Sequence, residues 1–375
     1  MMVMRGTRRR AVPLMLAAGA AALAFVAAGC GSDNKSDSGS SGGSASAGAK
    51  TIALLLPENQ TARYESSDRP LFEKNVKSLC ADCKILYSNA TQDAAKQQQQ
   101  AEAALSQGVD VMVLDPVDGA AASAIVQQAK SKNVPVISYD RLLLNSEPDY
   151  YVEFDSPGVG KLQATALVDK LKKDGKKGSL VMINGDPADN NAKLFKQGAH
   201  SVFDKSAFKI AKEYDTPGWT PAKAQTEMDQ AISALGKNGF VGVYAANDGT
   251  AGGAIASMKG AGIDPSTRPV TGQDAELAGI QRVVAGEQYM TIYKPIVPLS
   301  KAAAEWAVAL AQGKKVTGTN TKENNGKIDV PTLKIDVKAV TADNVKDTVV
   351  ADGYWKASEI CTPKYASACA KHGIK

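Results

Sequence analysis

From residue 51 onward, short aliphatic runs alternate with longer stretches that mix apolar and polar residues at helical spacing. Residues 51–56 (TIALLL), 109–114 (VDVMVL) and 134–138 (VPVIS) are short, aliphatic and bounded by turn residues, which predicts strands buried on both faces of a parallel sheet. Between them, residues 93–107 and 120–132 have helical composition, and Asn133 and Pro135 mark the return to strand. A second series follows. Residues 178–183, 240–245, 268–271 and 289–293 read as strands, and 194–203, 221–235, 249–260 and 276–285 as helices. Repeated strand–helix–strand units imply an α/β protein, with parallel sheets covered by helices on both faces. The length, 375 residues, implies two such sheets.

The N-terminus has a different pattern. Arg5, Arg8, Arg9 and Arg10 precede an apolar, small-residue run over 11–29, which ends Ala27-Ala28-Gly29-Cys30. A charged segment, an apolar segment and a small-residue cleavage site make an export signal. Its end resembles that of a bacterial lipoprotein, in which residues 1–29 are removed and Cys30 carries the lipid. A retained anchor helix and plain secretion remain alternatives, since the run is just long enough to span a bilayer. Residues 31–49 are rich in Gly, Ser, Asp and Asn and cannot bury a core, so 30–50 reads as a lipidated cysteine followed by a flexible tether.

This address changes the meaning of the charge. The net charge is +5, but 44 basic residues less the four signal arginines leaves 40, against 39 acidic residues. A near-neutral mature chain has no long-range field for nucleic acid. With two histidines, His200 and His372, histidine-rich metal sites are excluded and a catalytic triad is disfavoured. No phosphate-loop, zinc-protease or nucleophile-elbow motif is present, and Gly249–Gly253 reads as a strand-to-helix turn. Cys80 and Cys83 are close in sequence, as are Cys361 and Cys369. Outside the cytoplasm two local disulfides are the natural reading, with a four-cysteine zinc site and free thiols as alternatives.

In open α/β sheets, ligands bind beyond the carboxyl ends of the strands. Here nearly every predicted strand exit carries Asp, Asn, Arg or Lys: PENQTARY after Leu56, Tyr139-Asp140-Arg141, NGDPADNN after Ile183, Asn247-Asp248, Gly272-Gln273-Asp274 and Tyr293-Lys294. Any one of these alone reads as a turn or capping residue, Asn190 and Asp248 in particular as helix caps. Jointly they form a set of donors and acceptors suited to a neutral polyol, whose hydroxyls both donate and accept. Tyr64 and Trp219 lie in loops where an aromatic face would cover a sugar ring.

Residues 189–195 (DNNAKLF), 247–254 (NDGTAGGA), 272–280 (GQDAELAGI), 290–296 (MTIYKPI), 139–141 (YDR) and 344–353 (NVKDTVVADG) closely resemble the periplasmic D-xylose-binding proteins. The resemblance runs from about residue 51 to 355. Those belong to the type I periplasmic sugar-binding proteins that feed ABC importers. It implies two doubly wound lobes joined by three crossovers, 51–156 with 294–318 and 157–293 with 319–356, followed by a 357–375 tail holding a cysteine pair. It also implies that Arg63, Arg141, Asp189, Asn191, Asn247, Asp274 and Lys294 hydrogen-bond the sugar. Asp140 and Asp248 stand beside or within that shell, and Tyr64 and Trp219 supply stacking faces. The implied partners are a monosaccharide and a membrane permease complex that receives it. No catalytic residue, metal or cofactor is implied, and the protein is expected to be a monomer. Residues 57–72 depart from the family pattern, with Tyr64 where the xylose binder has tryptophan.

Three other functions compete. An enzyme using Asp189 and Asp274 as acid and base is opposed by the equal presence of cations and amides. A transcriptional regulator would need a DNA-binding segment where the signal and tether stand. A sensor presenting sugar to a receptor is not separable from transport by sequence.

Overall fold

A computed structural model describes residues 49–375. The expected signal, Cys30 and the tether up to residue 48 lie outside the described residues. Lys50 already belongs to the folded body, since its ammonium pairs with Asp110 at 2.8 Å.

The strands, in chain order, are β1 (Thr51–Leu56), β2 (Lys84–Asn89), β3 (Val111–Leu114), β4 (Val136–Tyr139), β5 (Tyr150–Phe154), β6 (Ser179–Asn184), β7 (Lys209–Asp215), β8 (Gly242–Ala245), β9 (Met290–Tyr293), β10 (Thr321–Asn324), β11 (Asp329–Ile335) and β12 (Lys338–Thr341). One sheet has the order β10-β11-β5-β4-β3-β1-β2, parallel except for the β10–β11 edge. A second has β7-β6-β8, parallel. Residues 268–271, expected as a strand, form only an isolated bridge at Val270. Yet this segment bonds β8 on one side (Val243 N to Pro269 O, 2.9 Å) and the 289–292 segment on the other (Tyr289 N to Val270 O, 2.9 Å). It thereby links the second sheet to the β9–β12 pair. Both sheets thus repeat the order second, first, third, fourth, fifth.

The aliphatic runs are explained by burial on both faces. Along β1, Ile52, Leu54 and Leu56 join one core with helices Arg69–Leu79 and Ile296–Ala311, while Ala53 and Leu55 join another with Ala94–Ser106 and Ser123–Ser131. In β6, Leu180 and Met182 face helices Ser156–Lys173 and Asn190–Phe203, while Val181 and Ile183 face Pro221–Leu235 and Asp248–Gly260. A strand so placed has no polar face, so its pattern is continuous rather than alternating. The edge strands β2 and β7 (KILYSN, KIAKEYD) are half-exposed and escape that pattern. The chain crosses between the two sheets at three places, near Asp155, Pro295 and Asp336. This is the type I periplasmic-binding-protein fold. Grouping 319–356 with the second half needs correction for residues 321–335. β11 pairs with β5 in parallel, which places β10 and β11 on the first sheet. Disulfides join Cys80 to Cys83 and Cys361 to Cys369. The C-terminal segment packs Ile360, Cys369 and Ile374 on Ile280, Val283 and Val284 of helix Leu277–Val284. Among the described residues no helix is long and apolar enough to cross a membrane.

Helices Ser156–Lys173 and Asn190–Phe203 approach closely because Gly160 and Gly198 lie at their contact. A methyl group on Gly160 would run into the Phe195 carbonyl, and one on Gly198 into that of Pro157. The Gly160→Ala variant is expected to lose about 1–3 kcal/mol of stability, the usual cost of overpacking, as read from urea unfolding.

Candidate functional site

At the exit of β1, the Glu58 carboxylate accepts from Thr61 N at 3.0 Å and also from Gln60 N, which turns the loop so that Thr61–Tyr64 lies over the strand ends. Arg63 follows, with its guanidinium fully buried. Its Nε and Nη2 donate to the two oxygens of Asp68, each at 3.1 Å, in a fork-to-fork pair. Nη2 also lies 2.9 Å from Asp140 Oδ1, and Nη1 lies 3.7 Å from Asp274 Oδ1. The Tyr64 hydroxyl donates to Asp140 Oδ2 at 2.8 Å, and the Tyr64 ring lies 5.0 Å from the Arg63 guanidinium and 5.7 Å from that of Arg141.

At the exit of β4 the backbone turns sharply. Asp140 takes φ +58°, held by Asp140 N donating to Val152 O and by Tyr151 OH donating to Asp140 O. Arg141 then points at the second half, with its Nε 3.0 Å from Asp189 Oδ2. Behind Arg141 stand two buried acids, Glu58 (3.6 Å) and Asp115 (3.7 Å). Burial pushes both carboxyls up against the opposing pull of Arg141, Asp115 well above the usual range. Asp68 is likewise pushed up to about 6 by burial, with Arg63 opposing. Asp140 differs. Burial disfavours its charge, but Arg63, Lys294 and Arg141 together outweigh burial and hold it down at about 2.

The second half contributes from its own strand exits. Asp189 caps helix Asn190–Phe203, accepting from Asn191 N at 2.8 Å on one oxygen and from Trp219 Nε1 at 3.1 Å on the other. Trp219 has φ +53° and packs against Gly185, where any side chain would collide with the indole. Asn191 donates to Asp140 O (2.9 Å) and Glu153 Oε2 (3.1 Å) across to the first half. Asn247 forms a capping box with Thr250, so its Oδ1 is engaged by the helix. Asp274 sits at φ +89°. Among the described residues no hydrogen bond is donated to its carboxylate; Lys294 Nζ lies 3.4 Å from Oδ1, and Arg63 is farther. Lys294 is itself buried, with its ammonium 5.4 Å from the Phe154 ring and 5.0 Å from that of Phe195.

Together Arg63, Tyr64, Asp140, Arg141, Asp189, Asn191, Trp219, Asn247, Asp274 and Lys294 line one cavity of about 260 Å3. Thr61, Phe195 and Gln273 complete the wall and were not singled out by the sequence reading. Phe195 lies one helical turn past Asn191, a spacing that places both on one face. Thr61 carried no signal. Asp248, expected in or beside the shell, does not line the cavity. Its carboxylate instead accepts from Gln288 Nε2 (2.6 Å), Thr291 Oγ1 (3.0 Å) and Glu276 N (2.9 Å). The capping roles shift as well, since Asp189 and Asn247 cap their helices rather than Asn190 and Asp248.

Three cations face three carboxylates in the lining, so the cavity carries no excess charge to recruit an ion. Three amides interleave, and the buried oxygens Asn191 Oδ1 and Gln273 Oε1 have no protein donor. This polar, charge-balanced lining suits a small, neutral, hydroxyl-rich molecule.

Residues 52–315 match the family model described as a periplasmic binding protein domain. The chain belongs to the periplasmic binding protein family. It is 38% identical over 313 residues to the D-xylose-binding periplasmic protein of Escherichia coli K12, covering 82% of this chain and 92% of that one. It is 33% identical over 329 residues to the multiple sugar-binding periplasmic receptor ChvE of Rhizobium radiobacter, covering 83% and 92%. The structure resembles a carbohydrate transporter solute-binding protein of Chloroflexus aurantiacus in complex with D-glucose, with a TM-score of 0.75 and 30% identity, over 83% of this chain and 98% of that one. Members of this family bind ligands and are not enzymes, which removes the acid–base reading of Asp189 and Asp274.

Because the carboxyl of Asp140 is held down at about 2, it contributes stability that is fully present above the ordinary carboxylate value and is lost as pH falls toward 2. The advantage of the wild type over Asp140→Asn, roughly 2 kcal/mol at neutral pH, is therefore expected to shrink between about pH 4 and pH 2 in urea unfolding.

Proposed function

We propose that this protein is the extracytoplasmic substrate-binding component of a sugar ABC importer, and that D-xylose is its ligand. The observation that carries this reading is the cavity lining: matched cations and carboxylates, interleaved amides and three aromatic side chains, contributed by both halves. Charged partners give hydroxyl hydrogen bonds of roughly 1.5–3 kcal/mol each, so a few suffice for useful affinity. Ligand first settles on one lobe, the crossovers flex, and the other lobe completes the bonds. In this scheme Arg63, Arg141, Asp189, Asn191, Asn247, Asp274 and Lys294 hold hydroxyls, and Tyr64 and Trp219 cover the ring faces. Asp140 mainly orients Arg63 and Tyr64. The closed body is what the permease receives. A lipid on Cys30 and the tether would hold this monomer at the outer face of the membrane.

The 38% identity to a relative named for D-xylose favours the pentose. A second reading, glucose or several aldoses, is favoured by the glucose-bound neighbour and the multiple-sugar receptor. Calorimetric titration of residues 50–375 with D-xylose, D-glucose, L-arabinose, D-ribose and D-galactose separates them. Tight binding of xylose alone supports the first, and comparable binding of several aldoses the second. No binding of any sugar overturns both. Asp274→Ala is expected to weaken the best sugar about 100-fold or more, since it deletes the cavity carboxylate that accepts no hydrogen bond from the described residues, a loss of roughly 3 kcal/mol. Unchanged affinity would remove Asp274 from the site.

A further inference from the structure

Behind the cavity, on the second half, lies a pair of acids that the sugar-binding scheme does not use. Asp248 is fully buried beneath the start of helix Leu277–Val284. A methyl group on Gly272 or Gly279 would strike its carboxylate, so both glycines make room for it. Asp248 Oδ2 accepts from Glu276 N at 2.9 Å, which fixes the residue preceding that helix. Glu276, itself only 8% exposed, then reaches across the cleft, where its Oε1 accepts from Ala62 N at 3.0 Å. Ala62 immediately precedes Arg63 and Tyr64. A chain of bonds thus runs from the second half into the first-half loop that carries two cavity residues.

The pair has little compensation. Among the described residues neither Asp248 nor Glu276 has a basic nitrogen within ion-pair distance. The groups facing Glu276 are Asp248 and Asp274, which oppose its ionisation, and Arg282 and the Ala62 N–H, which favour it. Arg282 is largely committed elsewhere, donating to Asp248 O at 2.6 Å and Gln288 Oε1 at 3.1 Å. Arg63 is engaged by Asp68 and Asp140, and Lys294 lies nearest Asp274.

We propose that Glu276 is a proton-linked latch: it positions the Thr61–Tyr64 segment across the cleft, and closing the lobes takes up a proton at the Asp248–Glu276 pair. This rests on the sugar-binding reading of the cavity and adds a regulation of it. The contact with Ala62 exists only while the lobes meet, and opening returns the Glu276 carboxyl to water. In the closed form burial, with Asp248 and Asp274 adding to it, pushes Glu276 up to about 8, and burial holds Asp248 at about 7. Closure then binds more protons than the open form between the ordinary carboxylate value and about pH 8. Affinity falls as pH rises through that window, by at most about tenfold per pH unit for one proton, and levels off above it.

The test is calorimetric titration of the wild type and Glu276→Gln with the tightest-binding sugar from pH 5.5 to 9. Glutamine keeps an oxygen for Ala62 N and has no proton to gain. The wild-type Kd is expected to rise several-fold or more between pH 6 and 8, and the Glu276→Gln Kd to rise clearly less over the same range. Parallel pH profiles for the two proteins overturn the latch. Asp248→Asn removes the larger of the opposing charges and is expected to flatten the wild-type slope. If no sugar binds at any pH, the sugar reading fails separately, and small-angle scattering of the ligand-free proteins decides the latch. A radius that grows with pH in the wild type but not in Glu276→Gln supports it, and identical behaviour overturns it.

Discussion

The structure depends on the buried guanidinium of Arg63. It binds Asp68 on its own loop, meets Asp140 at the next strand exit and faces Asp274 of the other half. A charge taken from water costs several kcal/mol, and its partners repay that only with good geometry. The network is therefore weak evidence of stability and strong evidence of a specified geometry. Tyr64, Tyr139, Asp140 and Lys294 are all oriented by groups that answer to this one cation, directly or through its acids.

Such a network also explains where backbone strain is tolerated. Asp140, Trp219 and Asp274 all adopt positive φ, which non-glycine residues seldom do. Each stands at a strand exit in the cavity wall, where a regular extension would carry the side chain past the cleft. The cost of such conformations persists only where surroundings over-determine them. At Asp140 and Asp274 a backbone hydrogen bond to a neighbouring strand and an ion pair do so, and at Trp219 the bonds of its backbone N–H to Thr216 O and of its indole to Asp189. The ligand then meets groups already aimed, and little further ordering is needed on binding.

The two halves are not equivalent in this respect. The first supplies Arg63 and Arg141, both held by acids behind them. The second supplies mostly acceptors and amides that double as helix caps, as Asp189 and Asn247 do. A capping side chain is rigid because its helix is rigid, so one residue serves both fold and site. That double use is why capping and ligand-facing roles cannot be separated residue by residue in a sequence.

The sequence by itself determined the architecture, because strands buried on both faces must be continuously aliphatic, and β1, β3, β4, β6 and β9 carry that mark. Sheet topology confines ligands to strand exits, where polar residues collect, and within those exits the family resemblance picked out ten residues that line the cavity. Edge strands β2 and β7 were not legible, since a half-covered strand looks like loop. Tertiary structure alone decided the rest. It turned Asp248 away from the cavity into the glycine-lined space under a helix, and it returned residues 321–335 to the first sheet beside β5. It also brought Glu276 to Ala62, 214 positions apart in the chain. Pairings of that kind depend on how two lobes meet, and no local pattern of hydrophobic and polar residues encodes a contact between surfaces that come together only after each has folded.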